Sequence, residues 1–191
     1  MVSPRSDVDM LLRAGRIPED ASTELLNGLI VHTDRSTQGE DPLRVGKGHR
    51  ICVEKLSDLR GEIDSAARHV ETQQPLICAE THVPEPDFMI LRGTLEDYSD
   101  LPIAVDAYCV VEVADSSYER DAGEKLAGYA QAGVQQYIII NLRTRSVDVF
   151  TNPDIASGTY PPPKKVAADG ELELHMNDSE RHRVRLESLL P

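Results

Sequence analysis

Apolar residues recur along this chain with two different periods, and each change of period marks a predicted element. Met10, Leu11 and Leu12 cluster between Ser6 and Gly15. That predicts a short helix over 6–15, with Ser6 as N-cap and Gly15 as terminator. Further on, Leu25-Leu26 and Leu29-Ile30-Val31 flank Asn27-Gly28, a dipeptide that tolerates positive φ at both positions. A β-hairpin with a type I′ turn is therefore predicted over 24–32. The stretch 33–48 is polar and glycine-rich and reads as a loop. From His49 to about Val70, residues Ile51, Cys52, Leu56, Leu59, Ile63, Ala66, Ala67 and Val70 fall near helical spacing. One long helix is predicted there, with Gly61 as its weak point.

Pro75 marks the change to extended chain. Strands are predicted over 76–83 and 87–91, followed by an acidic surface connection over 93–107. A buried strand over 108–113, a helix over about 117–132 and a second buried strand over 136–141 succeed one another. This succession predicts a right-handed βαβ crossover. Residues 146–150 pair back across the polar turn 143–145, and short strands are expected near 171–175 and 183–187. Neither a repeat nor a linker divides the chain. The fold class is α/β, a mixed sheet with flanking helices and an N-terminal hairpin, in a single domain of 191 residues.

Composition alters this picture little. Apolar content of 40% is slightly low but still supports a folded core. No apolar run approaches membrane-spanning length. No basic segment leads into an apolar one at the start, so a cytoplasmic, non-membrane protein is expected. Cys52, Cys78 and Cys109 are odd in number and widely spaced, and read as reduced core thiols. The formal net charge of −13 counts against tight unaided binding to a polyanion. Two local groups run against it: Arg44, Lys47, His49, Arg50 and Lys55, and the later Arg181, His182, Arg183 and Arg185. Each is either a solvated face or a binding patch. The six histidines show no zinc-hydrolase spacing, and no nucleophile elbow, phosphate loop or dinucleotide fingerprint occurs.

The residues with chemical promise are few. Glu112 is embedded in the apolar strand Val110, Val111, Glu112, Val113, where a carboxylate is costly unless paired or coordinated. Otherwise it marks a solvated strand end. Ser116 and Glu119 have capping-box spacing, which phases the next helix so that Ala122, Leu126, Tyr129 and Ala130 face inward. Lys125 then borders that stripe, either reaching toward Glu112 or forming a surface pair with Asp121. Asp87 follows Pro86 at the entrance of a strand and is either a plain turn residue or a neighbour of Glu112. Adjacent carboxylates repel unless a cation lies between them, and a hard cation prefers oxygen.

In this order the residues resemble the PD-(D/E)XK nuclease superfamily, and within it the bacterial putative restriction endonuclease (Uma-type) family. The matching residues are Glu24-Leu25-Leu26-Asn27-Gly28, Pro86-Asp87, the run Val111-Glu112-Val113-Ala114-Asp115-Ser116-Ser117, then Asp121, Lys125, Tyr129, Ala132-Gly133-Val134 and Tyr137. They cover about 23–150, the expected core. The resemblance implies a restriction-endonuclease-like fold, with Asp87, Glu112 and the Val113 carbonyl as ligands of Mg²⁺, or Mn²⁺ as an alternative. Lys125 would be the catalytic lysine, moved from the strand position occupied here by Ala114 onto the neighbouring helix. Glu24 would be an accessory acid, or else an exposed hairpin charge. The implied activity is hydrolysis of DNA phosphodiester bonds by a metal-activated water. A homodimer would supply one site per strand. The alternative is a non-catalytic binding or assembly module that keeps the fold. The chain has no Trp and two Phe, which leaves little for base stacking.

Overall fold

Asn27 and Gly28 take φ of 50° and 81°, the type I′ turn that this dipeptide favours. The turn joins β1 (Thr23–Leu26) to β2 (Leu29–His32) in a two-stranded antiparallel sheet. The computed structural model describes residues 23–32 and 46–191. The helix predicted over 6–15 and residues 33–45 of the predicted loop lie outside the described residues.

Helix α1 (Lys47–Asp58) buries Cys52, Val53 and Leu56 on one face, and the single turn α2 (Arg60–Ile63) continues it to Ile63. The helical spacing had predicted one helix running on to Val70. The chain instead becomes extended at Asp64, turns between Ser65 and Arg68, and enters β3 (Arg68–Glu71). Asp64 and Ser65 explain the difference. Asp64 Oδ1 accepts the Val70 amide at 2.8 Å and Ser65 Oγ accepts the Ala67 amide at 3.2 Å, bonds that compete with helical ones. Ala66 and Ala67, which fall near the helical spacing, are exposed.

The predicted strand 76–83 is not one either. Its backbone makes only isolated bridges, Leu25 with Val83, Ile77 with Ile103 and Ala79 with His82. The segment therefore clips the hairpin to the body of the protein. The connection 93–107 carries two 3-10 turns, at Leu95–Asp97 and Ala104–Asp106.

Strands β4 (Phe88–Arg92), β5 (Ala107–Ala114), β6 (Gln136–Asn141), β7 (Ser146–Thr151) and β8 (Lys164–Ala167) complete a six-stranded sheet ordered β3-β4-β5-β6-β7-β8. All its neighbours are antiparallel except β5 and β6, whose parallel pairing is that expected of a crossover. Strand β8 was not foreseen, because Val166 is its one buried residue. Exposed lysines on an edge strand discourage further pairing. The crossover helix, α3, spans 118–131.

Strands β9 (Glu171–His175) and β10 (Arg181–Arg185) pair as a separate ribbon, and the turn α4 (Leu186–Leu189) ends the fold. The last predicted strand, 183–187, thus ends two residues early, where Leu186 turns inward. One sheet face packs Val70, Phe88, Val111 and Ile138 against α1, Leu172, Leu174 and α4. The other packs Met89, Val110, Tyr137 and Ile139 against Tyr129 of α3 and Leu76. Cys52, Cys78 and Cys109 are free thiols, and burial pushes Cys52 and Cys78 up to about 12, which disfavours the thiolate. No helix among the described residues is long and apolar enough to cross a membrane.

One pH effect follows from the C-terminal ribbon. Burial, reinforced by Arg181 and opposed by Glu173, lowers the His175 pKa to about 4. The unfolded chain binds this proton near 6.5 and the folded one does not, so stability is full above that value and falls between pH 6.5 and 4. The residue is partly exposed, so solvent screening reduces the effect to about 1 kcal/mol between pH 7 and 5. Urea midpoints should show this excess loss in the natural protein relative to H175Q.

Candidate active site

Phe88, the first residue of β4, pairs with Val111 of β5, and beyond that pair the ladder stops. The Val113 amide donates instead to Asp87 Oδ2 at 2.9 Å. His49 Nε2 meets the same oxygen at 3.0 Å. His49 lies on the inward face of α1, since 49, 52, 53 and 56 are spaced i, i+3, i+4, i+7. Burial alone would raise the Asp87 pKa. The His49 hydrogen bond and charge, the Val113 amide and Lys125 together overcome it and hold the carboxyl below its ordinary value.

Glu112 points toward α3, on the sheet face of Val110 and Ala114. Its Oε1 accepts from Lys125 Nζ at 2.9 Å and from the Tyr129 hydroxyl at 2.8 Å. The hairpin brings in the third carboxylate. Glu24 Oε1 accepts the Glu85 amide at 2.7 Å and stands 2.7 Å from Lys125 Nζ. Glu24 is therefore a buried member of the group, 1% exposed, and not a surface charge.

The helix carrying Lys125 is α-helical only at its ends, Tyr118–Arg120 and Leu126–Gln131; between them Asp121–Lys125 widens into a π turn. Such turns concentrate at functional sites. The inward stripe differs from the expected one: Ala122 and Leu126 are half-buried, whereas Asp121, Lys125, Gly128 and Tyr129 are buried. The Ser116–Glu119 capping box does not form. Ser117 is the N-cap, and its hydroxyl donates to Asp121 Oδ2 at 2.6 Å. Asp121 and Lys125 are thus both buried and not a surface pair, and Lys125 meets Glu24 and Glu112 instead.

Of four buried carboxylates, Glu24 and Glu112 contact Lys125 directly, while Asp87 and Asp121 feel its charge at longer range. Burial drives the Glu112 pKa well up, Lys125 opposes this, and Asp121, Asp87 and Glu24 add to it. Burial likewise raises Asp121, against Lys125 and the Ser117 bond. Lys125 is firmly an ammonium: its burial is outweighed by Glu112, Glu24 and Asp121, which push its pKa upward. Carboxylates therefore outnumber the cationic side chains in this group among the described residues.

The described bonds of three carboxylates all engage one oxygen each: Oδ2 of Asp87, Oε1 of Glu112 and Oε1 of Glu24. Glu24 Oε2 is buried and has no hydrogen-bond partner among the described residues. Anchored carboxylates with a spare oxygen and a deficit of positive charge fit a hard divalent cation. Among the described residues no three His, Cys, Asp or Glu side chains stand together as a ready ligand set. The ammonium of Lys125 stands between Glu24 and Glu112 instead.

Neither basic group is an open patch as a whole. In the first, Arg44 lies outside the described residues, His49 is committed to Asp87, and Lys55 Nζ donates to the Leu190 carbonyl. In the second, Arg183 pairs with Glu173, Arg185 with Glu187 and His182 with Glu62. His49 was not foreseen as an Asp87 partner, although its place at the head of the Cys52, Val53, Leu56 stripe is visible in the sequence.

Gly128 lets α3 approach the clip that holds the hairpin. A Cβ there would lie 2.0 Å from His82 Nε2, while His82 Nδ1 accepts the Asn27 amide at 3.4 Å. Gly128→Ala should therefore cost about 1–3 kcal/mol through overpacking. Urea denaturation measures this, and an unchanged midpoint would contradict the tight approach.

The sequence family Uma2, described as "Putative restriction endonuclease", matches residues 15–177. Among solved structures, a putative nuclease belonging to DUF820 from Anabaena variabilis is similar. Its TM-score is 0.68, over 99% of this chain and 97% of that one, at 11% sequence identity. At this identity the likeness shows the fold. No curated protein matches the chain.

Proposed function

Because the chain belongs to the Uma2 family, described as "Putative restriction endonuclease", we propose that it is a magnesium-dependent endonuclease hydrolysing DNA phosphodiester bonds. The observation that carries this reading is the anchoring of Asp87, Glu112 and Glu24 through one oxygen each, beside a single lysine. Asp87 and Glu112 would hold the cation, Mg²⁺ or Mn²⁺, together with the Val113 carbonyl. In an extended strand the N–H and C=O of one residue point to the same side. The Val113 amide points at Asp87, which supports its carbonyl as the third ligand.

When bound, the cation supplies a lowered pKa for an attacking water and neutralises charge on the phosphate. The protein's own groups do the rest. Lys125 brings fixed positive charge into a buried site, where it can stabilise charge developing on phosphate oxygen. Tyr129 and Lys125 hold Glu112 by one oxygen, and Glu24 holds the lysine. Cutting both strands needs two such sites, which a two-fold pair of chains provides.

Nicking of supercoiled plasmid with and without Mg²⁺ tests the proposal, with magnesium titrated into the same preparation by calorimetry. Cleavage that requires Mg²⁺ is expected. Magnesium binding with no nicking would instead identify a non-catalytic binding module on the nuclease fold.

A further inference from the structure

Asp87 hangs from a torsion that is soft by nature, since the carboxylate of an aspartate turns in a broad, two-fold well. One donor to one oxygen would leave it partly free. Here two donors converge on Oδ2, the Val113 amide from the sheet and His49 Nε2 from α1. Oδ2 already accepts the Val113 amide, so the tautomer that fits the 3.0 Å contact carries its hydrogen on Nε2. Both supports are rigid: β5 lies inside the sheet, and α1 is seated by buried Cys52, Val53 and Leu56. The C-terminus backs this helix, with Pro191 against the Gly48 position and Lys55 Nζ bonded to the Leu190 carbonyl.

We infer that His49 is a positioning residue for metal binding, which fixes the Asp87 carboxylate through Oδ2 and so presents Oδ1 to the cation. This rests on the metal-dependent reading above. The imidazole is not itself a ligand. Its Nε2 is occupied by Asp87, and Nδ1, on the other side of the ring, is buried without a partner among the described residues. A hydrogen-bonded partner that orients a ligand typically governs metal affinity by about 10–100-fold.

The 191-residue chain is titrated with Mn²⁺ and free ion is followed by electron paramagnetic resonance, with thermal midpoints recorded in metal-free buffer. Two polar replacements keep the test independent of folding. The amide nitrogen of H49Q reaches close to the Nε2 position, whereas that of the shorter H49N does not. Binding weakened about 10–100-fold in H49N and restored to near the natural value in H49Q is expected. Natural affinity in both variants overturns the inference and leaves the metal reading standing. Equal loss in both overturns it too, because the imidazole is then a ligand. If the natural protein binds no Mn²⁺, the inference falls together with the reading on which it rests.

Discussion

Asp87→Asn is expected to lower magnesium-stimulated nicking by at least about a hundredfold while the fold stays intact. An asparagine oxygen can keep the hydrogen bond from the Val113 amide, which Asp87 Oδ2 accepts at 2.9 Å. The nitrogen then takes the place of Oδ1 and turns a ligand oxygen into a donor, with the negative charge removed. Asp87→Ala should abolish cleavage as well, at a larger cost in stability, because it strands the amide and His49 together. Plasmid nicking and circular dichroism on the same samples separate the two effects. Natural nicking rates in both variants would remove Asp87 from the site.

Lys125→Met should produce the largest loss of stability, about 3–5 kcal/mol in metal-free buffer. Methionine fills similar space but leaves Glu24, Glu112 and Asp121 without their shared cation. Breaking a buried pair in this way leaves uncompensated charge, which costs more than the pair was worth. The loss should shrink when Glu112→Gln is combined with it, since one of the stranded charges is then gone. Urea denaturation of the two single variants and the double variant reads the coupling. Additive losses would mean that Lys125 and Glu112 do not share a charge balance.

The sheet was legible because its central strands, 107–114 and 136–141, are long and mostly apolar, and burial dictates their structure. Glu112 was legible for the same reason, as a charge where the pattern demands an apolar residue. Elements with fewer buried residues were not. The helix end at Ile63 depended on two side-chain bonds, from Asp64 and Ser65, that alanines at 66 and 67 could not signal. Strand β8 has one buried side chain and so no alternation to detect. The π turn was hidden because its inward residues, Asp121 and Lys125, are charged, and a search for apolar spacing passes over them. The burial of Glu24 was out of reach of any local pattern, since its partners come from Glu85 and Lys125, far along the chain.

That last arrangement has a consequence for how the site opens. The hairpin is a two-stranded sheet outside the main one, held by buried Leu25 and Leu26, by Glu24, and by hydrogen bonds along its length. Leu25 exchanges amide and carbonyl with Val83, Gly28 bonds to the Thr81 carbonyl, and the Asn27 side chain reaches Glu124. Such a unit can detach without melting the six-stranded sheet, as a partial opening of lower free energy than global unfolding. Detachment would carry Glu24 away from Lys125 and admit water to the ammonium and to Glu112. The exchange of the Leu25 and Val83 amides with deuterated solvent would then count the openings of the site, while those of Val111 and Ile138 would count the unfolding of the whole protein.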